Sequence, residues 1–467
     1  MDLSFAISTE ASAYIGSRQS RLVRFQGEFF GYVRGCGYYR EESEELLRAG
    51  IRKASKEYKL TPSAVNAAID EIKSVCIVDH HSVTAPFVMD VPGTPSVPHL
   101  ISCRNGILDP QPRTLYDHDE RLFTLNALPF GYDPTATAPR WHQFLGETFD
   151  NDRESIGELQ KVFGYLLTAD TRLQKIFTII GPKRSGKGTI GRALQGLLGA
   201  ENIASPTFSN LGSDFGLEGL IGKRAAIIAD ARLGTRADRV AVSEVLLNVS
   251  GEDSINVRRK RRTDWCGKLD ARIVILSNEL PALPDPSGAL AGRYIVFHTP
   301  VSFFGREDHG LTDKLLTELP GILNWALDGL QRLAAGERIT TPAMARDLLE
   351  EIDALGSPVK AFVTERCTFG STDLTVKKDD LWAAYRLWHL QSGIVGQPLS
   401  KEMFSRALKT AFAGVVKDYR PRLTDGARPT SWAGLTLTTN PDQTQHPPSS
   451  THHNAPFGHP VVNTRSN

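Results

Sequence analysis

The sequence predicts an α/β protein: a core with a phosphate-binding loop (P-loop) and a mainly parallel sheet, preceded by a mixed, partly helical domain and followed by a winged-helix-like one. Three observations carry this expectation. The stretch FTIIGPKRSGKGTIGRALQGLLG, Phe177 to Gly199, joins an apolar run to a glycine-rich turn holding a lysine, and then to a helix with apolar periodicity. Strand and helix patterns alternate from there to about Pro300, as in a three-layer α/β domain. Beyond Leu355 the pattern becomes three short helices and a ribbon. The expected domains are 1–149, 150–335 and 336–440, followed by a polar tail over 441–467, rich in proline and histidine and expected to be disordered.

Each element follows from its local pattern. RLVRFQGEFFGYV alternates and is aromatic, like a hairpin, and SEELLRAGIRKASKEY has helical spacing. HLISCRNGILDPQPRTLYDH reads as strand, tight Asn-Gly turn, strand. Two helices then lead from Trp141 into the strand before the loop, and LTDKLLTELPGILNWALDGLQRLAAG is helical. SPVKAFVTERC, KDDLWAAYRLWHLQSG and SKEMFSRALKTAF are the three late helices. VVKDYRPRLTDGARPTSWAGLTL is a two-stranded ribbon with an Asp-Gly turn.

Bulk properties narrow the class. The chain has 467 residues, 40% hydrophobic and 23% charged, with a net charge of +1, so any surface for nucleic acid must be a local patch. None of the 5 cysteines has zinc-finger spacing, which favours reduced thiols. The N-terminus lacks the basic start and apolar core of a secretory signal. No apolar run reaches the roughly 18–20 residues of a membrane helix. A cytoplasmic protein is expected.

The chemistry concentrates around the loop. Gly181, Pro182, Lys183, Arg184, Ser185, Gly186, Lys187, Gly188 and Thr189 fit G-x-x-x-x-G-K with one residue inserted before the threonine. Backbone N–H groups of such a loop face phosphates, Lys187 adds positive charge, and the helix N-terminus favours an anion. Thr189 is the expected hydroxyl for magnesium. The GKGT variant also occurs in adenylate kinases, so the loop alone leaves a phosphotransferase open. GKRAAIIADARLG is a buried strand ending in Asp230, a carboxylate suited to holding a magnesium-bound water. ARIVILSNELPAL ends a further strand at Asn278, whose amide can orient an attacking water. Arg293 precedes the apolar strand YIVF; it is either an arginine finger acting on a neighbouring subunit or a surface ion pair. Arg258, Arg259, Lys260, Arg261 and Arg262 are consecutive, between strand-like flanks, with Trp265 close behind. That pattern suggests a hairpin whose cationic tip attracts phosphates while the aromatic ring stacks on a base.

Taken together, GPKRSGKGT, AAIIADAR, SGEDSINVRRKRR, VILSNELP and SGALAGRYIVF resemble, in that order, the motifs of superfamily 3 helicases, specifically the helicase part of phage and plasmid primase-helicase proteins. RNGILD, LPFGYDPTATAPRWHQFL and LQKVFGYLLTADT look like the region that precedes the ATPase in that family. The resemblance implies an AAA+-like ring motor, usually hexameric, that binds ATP and Mg²⁺ between subunits and moves along single-stranded DNA. By position, Lys187 would contact phosphate, Thr189 and Asp230 would serve magnesium, Asn278 would be sensor 1, Arg293 would act across the interface, and 258–262 would grip DNA. A separate primase or initiator is a further possible partner. Two departures stand out. Ala231 follows Asp230 where many members carry a second acid, so either Asp230 does both jobs or Glu244 or Glu252 moves in. No primase domain, acidic triad or zinc cluster is evident, so primer synthesis is not expected. Two alternatives stay open: an ATP-switched replication initiator using Lys401, Arg406 and Arg420 on duplex phosphates, and a nucleotide kinase-like phosphotransferase.

Overall fold

In the computed structural model the described residues are 9–55, 60–78, 84–229, 239–280, 283–285, 288–370, 373–392, 397–421 and 429–438. The expected tail therefore lies outside them, as does Asp230. The chain divides into two compact units, Met1–Ser357 and Pro358–Asn467. Among the described residues no helix is long and apolar enough to cross a membrane.

The first unit is built on a five-stranded sheet. Its strands are β1 (Ile176–Ile180), β2 (Ile203–Ala204), β3 (Ala225–Ala229), β4 (Arg272–Ser277) and β5 (Tyr294–His298). They lie in the order β2-β3-β4-β1-β5, every neighbouring pair parallel. Parallel strands need both faces covered, and all five residues of β1 are accordingly buried. Alternation sorts its side chains. Phe177 and Ile179 face a core shared with the helices α1 (Arg153–Leu167), α2 (Lys187–Leu198) and α4 (Leu319–Ala334). Ile176 and Ile180 face a second core with Val242 and Leu246 of α3 (Arg239–Ser250) and with Ile352. The result is the expected mixed α/β domain in three layers.

Local signals explain the helices. Asp152 caps α1, accepting from the backbone N–H groups of Glu154 and Ser155. Helices α1 and α4 cross closely because small residues face each other. A Cβ on Gly164 would lie 2.4 Å from the carbonyl oxygen of Ala326, and one on Gly329 would lie 2.3 Å from that of Gln160. Ala345 and Ile352 are buried in the second core, so the stretch after residue 335 that the sequence assigns to the C-terminal domain folds against the sheet as far as Ser357.

The N-terminal part carries an antiparallel sheet of Leu22–Phe25, Glu28–Val33 and Tyr38–Glu42, the first two strands being the expected hairpin. Helices Glu44–Ala54 and Pro62–Val75 pack on it through Leu47, Ile51, Ile69 and Ile72. The next hairpin differs from expectation in its turn. Cys103 pairs with Gly106, so the turn centres on Arg104 and Asn105, and Gly106 belongs to the strand. Gly106 is required there by close approach: a Cβ would lie 2.3 Å from the carbonyl oxygen of Tyr116 on the adjoining strand.

The second unit has its own core. Helices Pro358–Arg366, Lys378–Gln391 and Lys401–Ala411 enclose Phe362, Tyr385, Phe404 and Trp432. Strands Lys417–Tyr419 and Ser431–Ala433 form the expected ribbon, whose Asp-Gly turn lies outside the described residues. A strand unforeseen from sequence, Thr375–Lys377, pairs with the other side of Ser431–Ala433.

Candidate functional site

The glycine-rich loop leaves the C-terminal end of β1 and turns into α2, as the sequence requires. Its glycines answer to specific neighbours. A Cβ on Gly181 would lie 2.2 Å from Thr299 Oγ1 and 2.3 Å from the Thr299 carbonyl oxygen. Gly186 has φ +89°, and the first turn of α2 winds from its carbonyl, which accepts from the N–H groups of Thr189 at 2.9 Å and Ile190 at 3.0 Å. The segment after β5 clasps the loop from outside: the Phe303 N–H donates to the Arg184 carbonyl at 2.9 Å, and Ser302 Oγ donates to that of Lys183 at 2.9 Å.

Lys187 is 7% exposed. Its ammonium donates to the carbonyl oxygens of Gly181 and Pro182, both at 2.7 Å, and to Ser185 Oγ at 3.0 Å. Burial pushes this amine down to about 8. Burial, and then the Lys187 charge, also lower His298 at the end of β5. Thr189 Oγ1 accepts from Arg192 Nη2 at 3.0 Å.

A cleft of 410 Å³ opens outside the carboxyl ends of the strands, the edge where α/β sheets bind ligands. The loop residues from Arg184 to Thr189 line it together with Asn278, directly after β4. Five cations face it (Arg140, Arg184, Lys187, Arg192 and Arg306) against three carboxylates (Glu147, Glu307 and Asp308), an excess that suits a polyanion. Lys187, Thr189 and Asn278 are thus brought together. Ala229, the last residue of β3, pairs with Leu276 at the same edge; the next residue, Asp230, lies outside the described residues. Among the described residues no cluster of His, Cys, Asp and Glu could hold a metal ion.

Arg293 is not brought to this cleft. It precedes Tyr294, which pairs with Ile176, the first residue of β1, whereas Lys187 follows the last. One strand length, about 16 Å at ~3.3 Å per residue, separates the two edges. There Arg293 Nη1 donates to the Leu247 carbonyl at 2.6 Å and to Ser250 Oγ at 2.9 Å, capping the C-terminus of α3. Glu252 lies on that far edge too: its carboxylate accepts from Thr171 Oγ1 and, at 3.1 Å, from Lys268 Nζ. That position rules it out as a water-activating acid within its own chain. Glu244 is exposed on α3 and does not line the cleft.

The basic run does form a hairpin tip. Strands Ile255–Val257 and Trp265–Gly267 pair antiparallel around it. Arg258, Lys260, Arg261 and Arg262 are exposed, and the Arg259 side chain is largely buried. Among the described residues carboxylates meet three of the five. Arg259 pairs with Glu28 at 2.9 Å, Arg262 with Glu41 at 2.6 Å, and Arg258 with Asp214 at 3.1 Å. Trp265, expected as a stacking ring, is 8% exposed and donates its indole N–H to Gln26 at 2.8 Å. An exposed ring beside the tip is Phe215, 44% exposed, with Lys260 Nζ 5.7 Å from its centroid. It lines a 460 Å³ cleft with Lys260, Asn210 and Ser213. The sequence held a signal for it, a phenylalanine alone in the polar, glycine-rich stretch GSDFGLEG. In the second unit Lys401 pairs with Asp379, while Arg406 lies on helix Lys401–Ala411 and Arg420 just beyond strand Lys417–Tyr419.

Comparison with known proteins adds the following. Residues 13–150 match the family described as D5 N terminal like, and residues 179–293 match a family of unknown function, DUF5906. No curated protein matches. An apo structure of the NrS-1 C terminal region is similar with a TM-score of 0.54 at 12% identity, over 91% of this chain and 99% of that one. A further apo structure of that region gives 0.52 at 13% identity, over 88% and 94%. The structural likeness shows a shared fold.

Proposed function

We propose that the protein is an ATP-dependent DNA helicase of the superfamily 3 type, a P-loop ring motor that moves along single-stranded DNA during the replication of a phage, plasmid or prophage. The observation that carries this reading is the division of labour between the two edges of one sheet. Lys187, Thr189 and Asn278 share a positively charged cleft at one edge, and Arg293 stands about 16 Å away at the other, out of reach of its own cleft. On this reading Arg293 leaves its cap on α3 to serve a neighbour's triphosphate.

The residues fit an anionic nucleotide. Among the described residues the buried Lys187 ammonium is held by oxygens of its own loop, and it can turn toward phosphate oxygens. Thr189 and Asp230 would hold magnesium, which supplies further neutralising charge when bound. Asn278 orients the water that attacks the γ-phosphorus; the water's proton passes to a carboxylate, the role left to Asp230, and the bond to the bridging oxygen breaks, giving ADP and inorganic phosphate. Lys187 and a neighbour's Arg293 stabilise the charge that develops. The exposed cations of the 258–262 tip hold the DNA backbone, and Phe215 offers an unpaired base a stacking face.

Strand displacement on a tailed duplex tests this reading. ATP-dependent unwinding that is lost in Lys187→Ala is expected; wild-type ATPase without unwinding would favour the initiator instead. The separately folded second unit supports that alternative, since its Arg406 and Arg420 suit duplex phosphates.

A further inference from the structure

We infer that the N-terminal antiparallel sheet is the seat of the cationic hairpin, and that Arg259 is a positioning residue pinned to Glu28, not a contact to the polynucleotide. This rests on the reading of the hairpin tip as the part that grips DNA.

The seat begins at a tight turn. Gln26 has φ +51° and Gly27 φ +86°, left-handed values at both central positions, which join Leu22–Phe25 to Glu28–Val33 with little freedom. From this turn and the strand after it come two bonds to the hairpin: Gln26 Oε1 accepts from Trp265 Nε1 at 2.8 Å, and Glu28 accepts from Arg259 Nη1 at 2.9 Å. Arg259 also donates from Nε to the Thr263 carbonyl at 2.7 Å. One guanidinium therefore ties the two sides of the tip together and fastens them to the N-terminal sheet. Its side chain is 10% exposed. A DNA phosphate would have to displace Glu28 from this site and leave the carboxylate with only the longer contact to Arg262, at 3.9 Å.

Arg262 differs. Its pair with Glu41 is open to solvent, at 44% and 42% exposure, and such pairs exchange readily. Arg258, Lys260 and Arg261 are exposed too. The five consecutive cations thus divide into one pin and four that can meet phosphates, and the pin fastens the hairpin to the N-terminal sheet.

The test uses the full chain, oligothymidylate binding measured across a salt series, and ATPase stimulation by the same oligonucleotide. Arg258→Gln, Lys260→Gln and Arg261→Gln should each reduce the slope of log K against log salt by about 0.7, the value for one phosphate contact on a single strand. Arg259→Gln should leave that slope unchanged while cutting DNA stimulation severalfold, and the isosteric Glu28→Gln should do the same. Arg259→Glu combined with Glu28→Arg should recover the stimulation. A slope lowered by Arg259→Gln as by its neighbours, or a charge swap no better than its single changes, overturns the pin. Undiminished binding after joint replacement of Arg258, Lys260 and Arg261 takes down the DNA-gripping reading itself, and the pin's role with it.

Discussion

The glycine-rich loop and the cationic hairpin are both short, both basic and both suited to phosphate, yet they keep their charges in opposite ways. Lys187 is bonded to two carbonyl oxygens and a hydroxyl of its own loop, and among the described residues no carboxylate pairs with it. Its positive charge is held ready and partly suppressed by burial. Arg259 and Arg262 are instead neutralised by Glu28 and Glu41, which lie more than two hundred positions earlier in the chain. A phosphate loop is a local object, complete within a few consecutive residues. A charged hairpin is only as free as whatever folds against it.

That contrast can be broken most forcefully at the loop. Lys187→Ala should lower kcat for ATP by about 10²–10³-fold, the usual cost of removing one preorganised donor of transition-state charge stabilisation. Near-normal turnover would make the loop merely a turn. Gly181→Ala should destabilise the first unit by ~1–3 kcal/mol in denaturant unfolding, because the added methyl meets the Thr299 backbone. An unchanged midpoint would mean that the clasp around the loop is slack.

The pH behaviour of Lys187 sharpens the contrast further. Burial lowers it from 10.5 to about 8, so between those values the free folded protein holds fewer protons there than the unfolded chain. Stability without nucleotide should rise with pH through that window. Triphosphate binding restores the ammonium, so ATP should bind with proton uptake, and its affinity should fall by at most about tenfold per pH unit. Calorimetry near pH 9 in two buffers of different ionisation enthalpy reads the uptake directly. The smallest effect belongs to the hairpin rim: Glu41→Gln should change stability by ~1 kcal/mol or less, as expected of an exposed ion pair. A larger loss would mean that Arg262 is pinned as Arg259 is.

How much of this was legible in the sequence follows the same division. Apolar runs marked β1, β3, β4 and β5, the loop marked itself, and the alternating flanks marked the basic hairpin. The late helices were legible from spacing and the ribbon from its strand-like flanks. What depended on distant partners was not. Nothing near Arg259 announces Glu28, and nothing near Trp265 announces that Gln26 takes its N–H. Gly106 looked like a turn residue because its third-strand neighbour, Tyr116, is invisible locally. Helix Pro62–Val75 does start at a locally readable signal, Thr61 capping with Pro62 at the first position. For Arg293 the sequence offered an arginine before a strand; only the parallel register puts it on the edge away from Lys187.

The most direct measurement mixes two inactive subunits. Lys187→Ala lacks the loop's charge. Arg293→Gln lacks the guanidinium but keeps a donor for the Leu247 carbonyl that caps α3. Combined with ATP and single-stranded DNA, the two should regain turnover well above the sum of either alone, because a mixed interface can join an intact loop to an intact arginine. A mixture that stays at that sum, while both variants assemble and still bind nucleotide, would contradict a cleft shared between two copies of the chain.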